Sequence, residues 1–311
     1  MALLTPLDEA QARSVLSAYG LVLETLEALP AKGTVNSNFR VRASGAQWFL
    51  RVNEGKTDAD VHAEAELVAH LRARGLPTPE VRRTQAGPWF ARAAGKPVTL
   101  FPWIDGDEAA PRASDPSTVR VVGRALALLH RAGADLPADA HPRNHYTIDA
   151  LTKRLRSFAH DPRLAEIVPL LDEELTRPRA PLPSGLIHQD LFPDNLLVGA
   201  DGALAAVLDL EQATHGAYVY DLAVSANAWC WDGETIHLPS VEALLAAYEA
   251  ERPLTPAERA AFTGEARLSA ARFTITRITD VFLPANVDDE LRRRKDWREY
   301  ARKLHFWRAA Q

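Results

Sequence analysis

Short apolar stretches at 22–27, 39–42 and 48–52 alternate with polar, turn-forming residues and predict strands, the last two joined across Ala43-Ser44-Gly45-Ala46. From 58 to 74 the pattern changes period. Val61, Ala65, Leu67, Val68 and Leu71 recur at helical spacing, and Gly75, Pro77 and Pro79 end the run. Extended segments at 80–83, 89–93 and 97–103 complete the sheet. Ahead of it, Thr5-Pro6 followed by Asp8 and Glu9 predicts an N-cap with Pro at the first helical position, for a short helix to about Ala18 that Gly20 stops. The first hundred residues thus read as a β-rich lobe with one long helix. The character changes at Phe101-Pro102-Trp103-Ile104-Asp105-Gly106, where a strand runs into a Gly turn. Beyond it the chain is mainly helical, beginning at 115–132, where Asp115 and Pro116 cap the start and Leu126, Leu129 and His130 share a face. We expect a packed, structural His130. The fold class expected is α+β and bilobal, with lobes at 1–103 and 104–311 and the hinge near Trp103.

The chemistry concentrates in His188-Gln189-Asp190-Leu191-Phe192-Pro193-Asp194-Asn195. Its spacing is H-x-D-L-x-x-x-N, that of a kinase catalytic loop, in which the Asp takes the attacking hydroxyl's proton and the Asn five residues on holds Mg²⁺. Those positions are Asp190 and Asn195. The spacing has a physical reason: the carboxylate must reach a nucleophile while a neutral amide oxygen, one loop turn away, reaches a metal on the phosphates. Next come Leu196-Leu197-Val198, an Asp201-Gly202 turn and an apolar strand ending in Asp209, which reads as a hairpin delivering a second metal ligand. Asp209-Leu210-Glu211 stands where protein kinases carry D-F-G, so the metal Asp is kept and the Phe-Gly is not.

Upstream, residues 32–38 occupy the place of a phosphate-covering loop. They offer the single Gly33 rather than G-x-G-x-x-G, and a plain hairpin turn is the alternative. Arg51, on the third strand, stands where kinases place Lys. Its expected partner is an acid on the following helix, Glu64 ahead of Glu66. A guanidinium is a planar fork where an ammonium is a point charge, so Arg51 would clamp phosphates in a different way.

Composition excludes more than it selects. In 311 residues, 47% are hydrophobic and 25% charged, which suits a globular chain with a real core. A net charge of −5 argues against nucleic acid or an anionic membrane as the main partner. The longest uncharged, mostly apolar stretch, 222–231, is far below the ~20 residues of a membrane span. The lone Cys230 permits no internal disulfide, and residues 1–9 lack a basic, apolar leader, so a cytoplasmic location is expected.

Taken together, these residues make the chain resemble the aminoglycoside-phosphotransferase-like branch of the protein-kinase fold, and within it the protein-kinase-fold homoserine kinases. Gly185 to Asn195 carries the broad resemblance. Tyr220-Asp221-Leu222 through Asn227-Ala228-Trp229-Cys230, Arg272-Phe273 with Arg277, and Lys295 to Leu304 carry the narrower one. Relatives often have Gly or Ala where Gln189 stands and an aromatic where Leu210 stands. The resemblance implies ATP between the lobes with its adenine near Trp103 and Ile104, and phosphates covered by Gly33 and met by Arg51. It further implies Mg²⁺ on Asn195 and Asp209, and a catalytic loop braced by His188 and Asp221. For the acceptor it implies L-homoserine, with Arg272 as carboxylate partner and Asn227 as a hydrogen-bonding neighbour. An aminoglycoside, choline or other small alcohol is the rival acceptor, and a non-catalytic pseudokinase the rival class.

Overall fold

The computed structural model describes residues 5–30, 36–108, 116–137 and 140–310. They form two compact units, residues 1–106 with 205–210, and residues 107–204 with 211–311.

The first unit is built on a five-stranded antiparallel sheet in the order β1-β2-β3-β5-β4. Its strands are β1 (Leu23–Ala28), β2 (Ser37–Ala43), β3 (Ala46–Val52), β4 (Ala91–Ala93) and β5 (Lys96–Pro102). In β2 the pleat buries Ser37, Phe39, Val41 and Ala43 and turns Asn38, Arg40 and Arg42 outward, a period-two pattern matched to one covered face. Residues 80–83, expected as a strand, stay outside the ladder. Arg82 alone reaches it, donating its backbone NH to the Leu100 carbonyl.

Helix α1 (Glu9–Ala18) packs Ala12, Val15 and Leu16 into the same core as Phe39, Val41, Leu50 and Leu100. Its N-cap is Asp8 rather than Thr5. Asp8 and Gln11 form a reciprocal capping box, which satisfies two orphan amides where Thr5-Pro6 would satisfy one, while Thr5 donates its own NH to Ser37 Oγ. In α2 (Asp58–Ala73), Thr57 and Asp60 make the equivalent box, and all five residues of the expected apolar stripe are buried.

The second unit is mainly helical: α3 (Pro116–Ala132), α4 (Ile148–Phe158), α5 (Val168–Thr176), α6 (Tyr218–Trp229), α7 (Leu238–Glu249), α8 (Pro256–Arg277), α9 (Asp289–Arg294) and α10 (Trp297–Ala309). The Asp115 cap expected for α3 lies outside the described residues. At Gly123 a Cβ would sit 2.3 Å from the Leu244 carbonyl oxygen, so only glycine lets α3 pack this closely on α7. Among the described residues no helix is long and apolar enough to cross a membrane.

Short strands carry the functional loops. In the second unit β7 (Ser184–Ile187) pairs antiparallel with β10 (Thr214–Ala217), and β6 (Asp107–Glu108) with β8 (Leu196–Val198). After β8 the Gly199 NH donates to the Ala203 carbonyl across the Asp201-Gly202 turn, and Gly202 takes φ +77°, the conformation that makes glycine useful there. Strand β9 (Leu204–Val207) follows and leads to Asp209. Most of it groups with the first unit, where Val207 NH donates to the Pro77 carbonyl at 2.7 Å.

Candidate active site

The loop after β7 is held from both sides. Asp221, in the first turn of α6 and fully buried, accepts the backbone NH groups of His188 and Gln189, each at 2.7 Å. Its Oδ2 also faces His130 Nε2 at 3.0 Å, while His130 Nδ1 meets the Tyr248 hydroxyl at 2.7 Å. Burial alone would raise the Asp221 carboxyl. The His130 hydrogen bond and charge, with His188, instead hold it below the ordinary carboxylate value. Burial pushes His130 down, against the pull of Asp221. Two turns along the same helix, Trp229 Nε1 donates to the Leu191 carbonyl at 2.7 Å.

Inside the loop, Asn195 Nδ2 donates to the Asp190 carbonyl at 2.9 Å, and the Asp190 NH faces His188 Nδ1 at 3.3 Å. Gln189 takes φ +69°, which a side-chain-bearing residue adopts at a cost of about 1–3 kcal/mol. Its two backbone hydrogen bonds, from its NH to Asp221 and to its carbonyl from Arg272, keep it there.

The Asp190 carboxylate is partly exposed. Gln212 Nε2 donates to its Oδ2 at 3.2 Å, and Arg272 Nη1 stands 3.7 Å from Oδ1. Desolvation pushes this carboxyl above its ordinary value, the charges of Arg272, His188 and Lys295 oppose that, and Asp194 adds to it.

Two residues expected to meet an acceptor are engaged within the protein. Arg272, on α8, is 2% exposed. Its Nη1 donates to the Gln189 carbonyl at 3.1 Å and its Nη2 to Gln212 Oε1 at 3.0 Å, with the guanidinium against the rings of Phe273 and Tyr146. Its fork is committed to the catalytic loop. Asn227 is fully buried, donates to the Ala266 carbonyl and Ser269 Oγ, and accepts from Trp307 Nε1. With its amide spent on α8 and α10, it joins three helices and presents nothing to a ligand.

In the first unit, Arg51 Nη2 donates to Glu64 Oε1 at 2.5 Å, and Lys56 Nζ to Glu64 Oε2 at 2.6 Å. Glu66, the other acid weighed, accepts from Trp89 and Arg83 instead. Burial would raise Glu64, yet Arg51 and Lys56 hold it at about 2, so it is anionic at any working pH. Lys56 was missed from the sequence because nothing in a loop lysine's neighbours marks it as converging on an acid eight residues away. Trp103 and Ile104 are half-buried just past β5, with the Arg40 guanidinium 4.1 Å from the centroid of the Trp103 ring. Gly33 lies outside the described residues. Because Arg51 and Glu64 are nearly excluded from water, their double-mutant coupling should be about 1–3 kcal/mol in ATP-dependent kcat/KM, contributed in full above pH ~4 and lost as pH falls toward 2. Steady-state kinetics of Arg51→Ala, Glu64→Ala and the pair measure it, and a coupling near zero contradicts the clamp.

Asn195 spends its NH₂ on the Asp190 carbonyl and keeps its amide oxygen, a hard neutral donor of the kind Mg²⁺ takes. Asp209, grouped with the first unit, stands at φ +56°, a left-handed residue without glycine's freedom, and its carboxylate is a hard donor of the same class.

Residues 25–254 match the model of the phosphotransferase enzyme family. The chain is 35% identical to the homoserine kinase of Methylobacterium radiotolerans over 100% of this chain and 97% of that one. It is equally 35% identical to the homoserine kinase of Caulobacter sp. strain K31, over 98% and 96%. Among solved structures, an aminoglycoside phosphotransferase from Alicyclobacillus acidocaldarius aligns with a TM-score of 0.70 at 17% identity, covering 98% of this chain and 94% of that one. A spectinomycin phosphotransferase solved with ADP and spectinomycin aligns at 0.71 and 13% identity, covering 98% and 99%. The fold is therefore that of the aminoglycoside phosphotransferases, and the chain belongs to the phosphotransferase enzyme family.

Proposed function

We propose that the protein is an ATP-dependent kinase that transfers the γ-phosphoryl group to the side-chain hydroxyl of L-homoserine. The observation that carries the chemistry is the Asp190 carboxylate, held at the tip of a doubly braced loop by Gln212 and by the charge of Arg272. Asp190 orients the acceptor hydroxyl and takes its proton as the oxygen bonds to phosphorus. The bond from phosphorus to the bridging oxygen breaks, and ADP leaves. Most of the acceleration comes from positioning and charge neutralisation. Arg51, steadied by Glu64, is assigned to the ATP phosphates, and Trp103 with Ile104 to the adenine. Asn195 and Asp209 are assigned to Mg²⁺, which when bound neutralises phosphate charge.

With Arg272 committed to Gln189 and Gln212, the acceptor assignment rests on the full-length identity to the homoserine kinases. A cytoplasmic location accords with this role.

ADP release measured with homoserine, choline, methylthioribose and kanamycin tests the reading. Turnover is expected with homoserine. Activity confined to another of these alcohols would move the acceptor, and nucleotide binding with no turnover on any of them would make the chain a pseudokinase.

A further inference from the structure

Gln212 was not singled out by its sequence, yet it occupies a specific electrostatic position. It ends the short turn Leu210–Gln212, half-buried, three residues after Asp209. Its amide oxygen accepts from Arg272 Nη2 at 3.0 Å, and its amide NH₂ donates to Asp190 Oδ2 at 3.2 Å. The two partners fix the amide's orientation without ambiguity: a guanidinium can only donate and a carboxylate can only accept, so oxygen must face one and nitrogen the other. Among side chains of this length, only a glutamine bridges a cation to an anion in this way. A glutamate would oppose Asp190, and a methionine would reach neither.

Arg272 is a costly anchor. It is 2% exposed, and among the described residues its Nε has no hydrogen-bond partner. Leaving a buried donor unmade costs about 1–3 kcal/mol, so the site keeps this residue against a penalty. Its guanidinium lies 4.0 Å from the ring centroid of Tyr146 and 3.9 Å from that of Phe273. Nη1 donates to the Gln189 carbonyl and stands near the Asp190 side chain, and Nη2 donates to Gln212. Its two donor nitrogens thus engage both neighbours of the reacting group.

We infer that Arg272 and Gln212 form a positioning relay that holds the Asp190 carboxylate by Oδ2 and leaves Oδ1 presented to the acceptor hydroxyl. This rests on the reading of Asp190 as the base. At 3.7 Å, Arg272 Nη1 is within ion-pair range of Oδ1 but beyond a hydrogen bond, so Oδ1 keeps its lone pairs for an incoming O–H. The same fork pins the Gln189 carbonyl, so backbone and side chain of the loop share one rigid reference on α8. Neither Gln212 nor Arg272 needs to touch the acceptor.

The test is Gln212→Met, alone and combined with Asp190→Asn, with kcat and both KM values measured using homoserine and Mg·ATP. Losing one hydrogen bond to a charged group should lower kcat by about 10- to 100-fold. Both KM values should stay within about threefold, whereas a disrupted structure would raise them together. In the Asp190→Asn background the second change should cost almost nothing, because the relay acts only through that carboxylate. Gln212→Glu keeps the shape if the Met variant fails to fold, and should lose kcat at least as strongly through carboxylate repulsion. Unchanged kcat in both Gln212 variants, or a full additional loss beside Asp190→Asn, overturns the relay and leaves the base standing. Near-normal turnover of Asp190→Asn alone overturns the base and the relay with it.

Discussion

Asp190→Asn is expected to lower kcat by at least ~10²-fold, the lower range for a positioned general base, with Mg·ATP affinity close to wild type. The amide matches the carboxylate in size and can still accept from Gln212, so the loop geometry survives. The loop's backbone is held independently of this side chain, by Asp221 on His188 and Gln189 and by Trp229 on Leu191. What is removed is the proposed proton acceptor. Calorimetric nucleotide binding alongside single-turnover kinetics separates these effects, and near-normal turnover would rule out Asp190 as the base.

Asp209→Ala should act on the other substrate. If Asp209 holds Mg²⁺ on the phosphates, as proposed, its removal takes away that charge, so ATP affinity should lose its dependence on Mg²⁺ and kcat should fall by a comparable or larger factor. The left-handed backbone at this position adds a modest penalty for alanine, which lacks the local hydrogen bonding that lets aspartate tolerate φ +56°. Titration of ATP with and without Mg²⁺ reads the effect directly. If the variant keeps full Mg·ATP affinity, the second metal ligand is another residue.

The parts of this molecule that were legible in its sequence are those written in local spacing. The loop from His188 to Asn195 is one contiguous word, and the longest of its internal contacts, Asn195 to the Asp190 carbonyl, spans five residues. The apolar stripe of α2 and the β2–β3 hairpin are equally local, and both fall where the pattern put them. Arg51 and Glu64 are also a near pair, one strand and one helix apart. Long-range polar contacts were not legible. Arg272 reads from its helix as a cation available to a ligand, and only the packing of α8 reveals that it is spent 83 residues back on Gln189 and 60 back on Gln212. Asn227 misled for the same reason, since a buried amide that joins helices and an amide that binds a substrate look alike in one dimension. At the N-terminus two caps competed, and the capping box of Asp8 and Gln11 outweighed the Thr-Pro signal. Gln189 is a further case. Its left-handed backbone, φ +69°, is a feature of the turn that the motif spacing does not reveal.

Recognition of the acceptor by its carboxylate as well as its hydroxyl, as proposed, is tested most directly by comparing kcat/KM for L-homoserine with that for 3-aminopropan-1-ol, the same molecule without the carboxylate, at saturating Mg·ATP. A charge-assisted contact worth about 1.5–3 kcal/mol predicts a preference for homoserine of at least ~10-fold. Equal or greater efficiency on the aminoalcohol would contradict it.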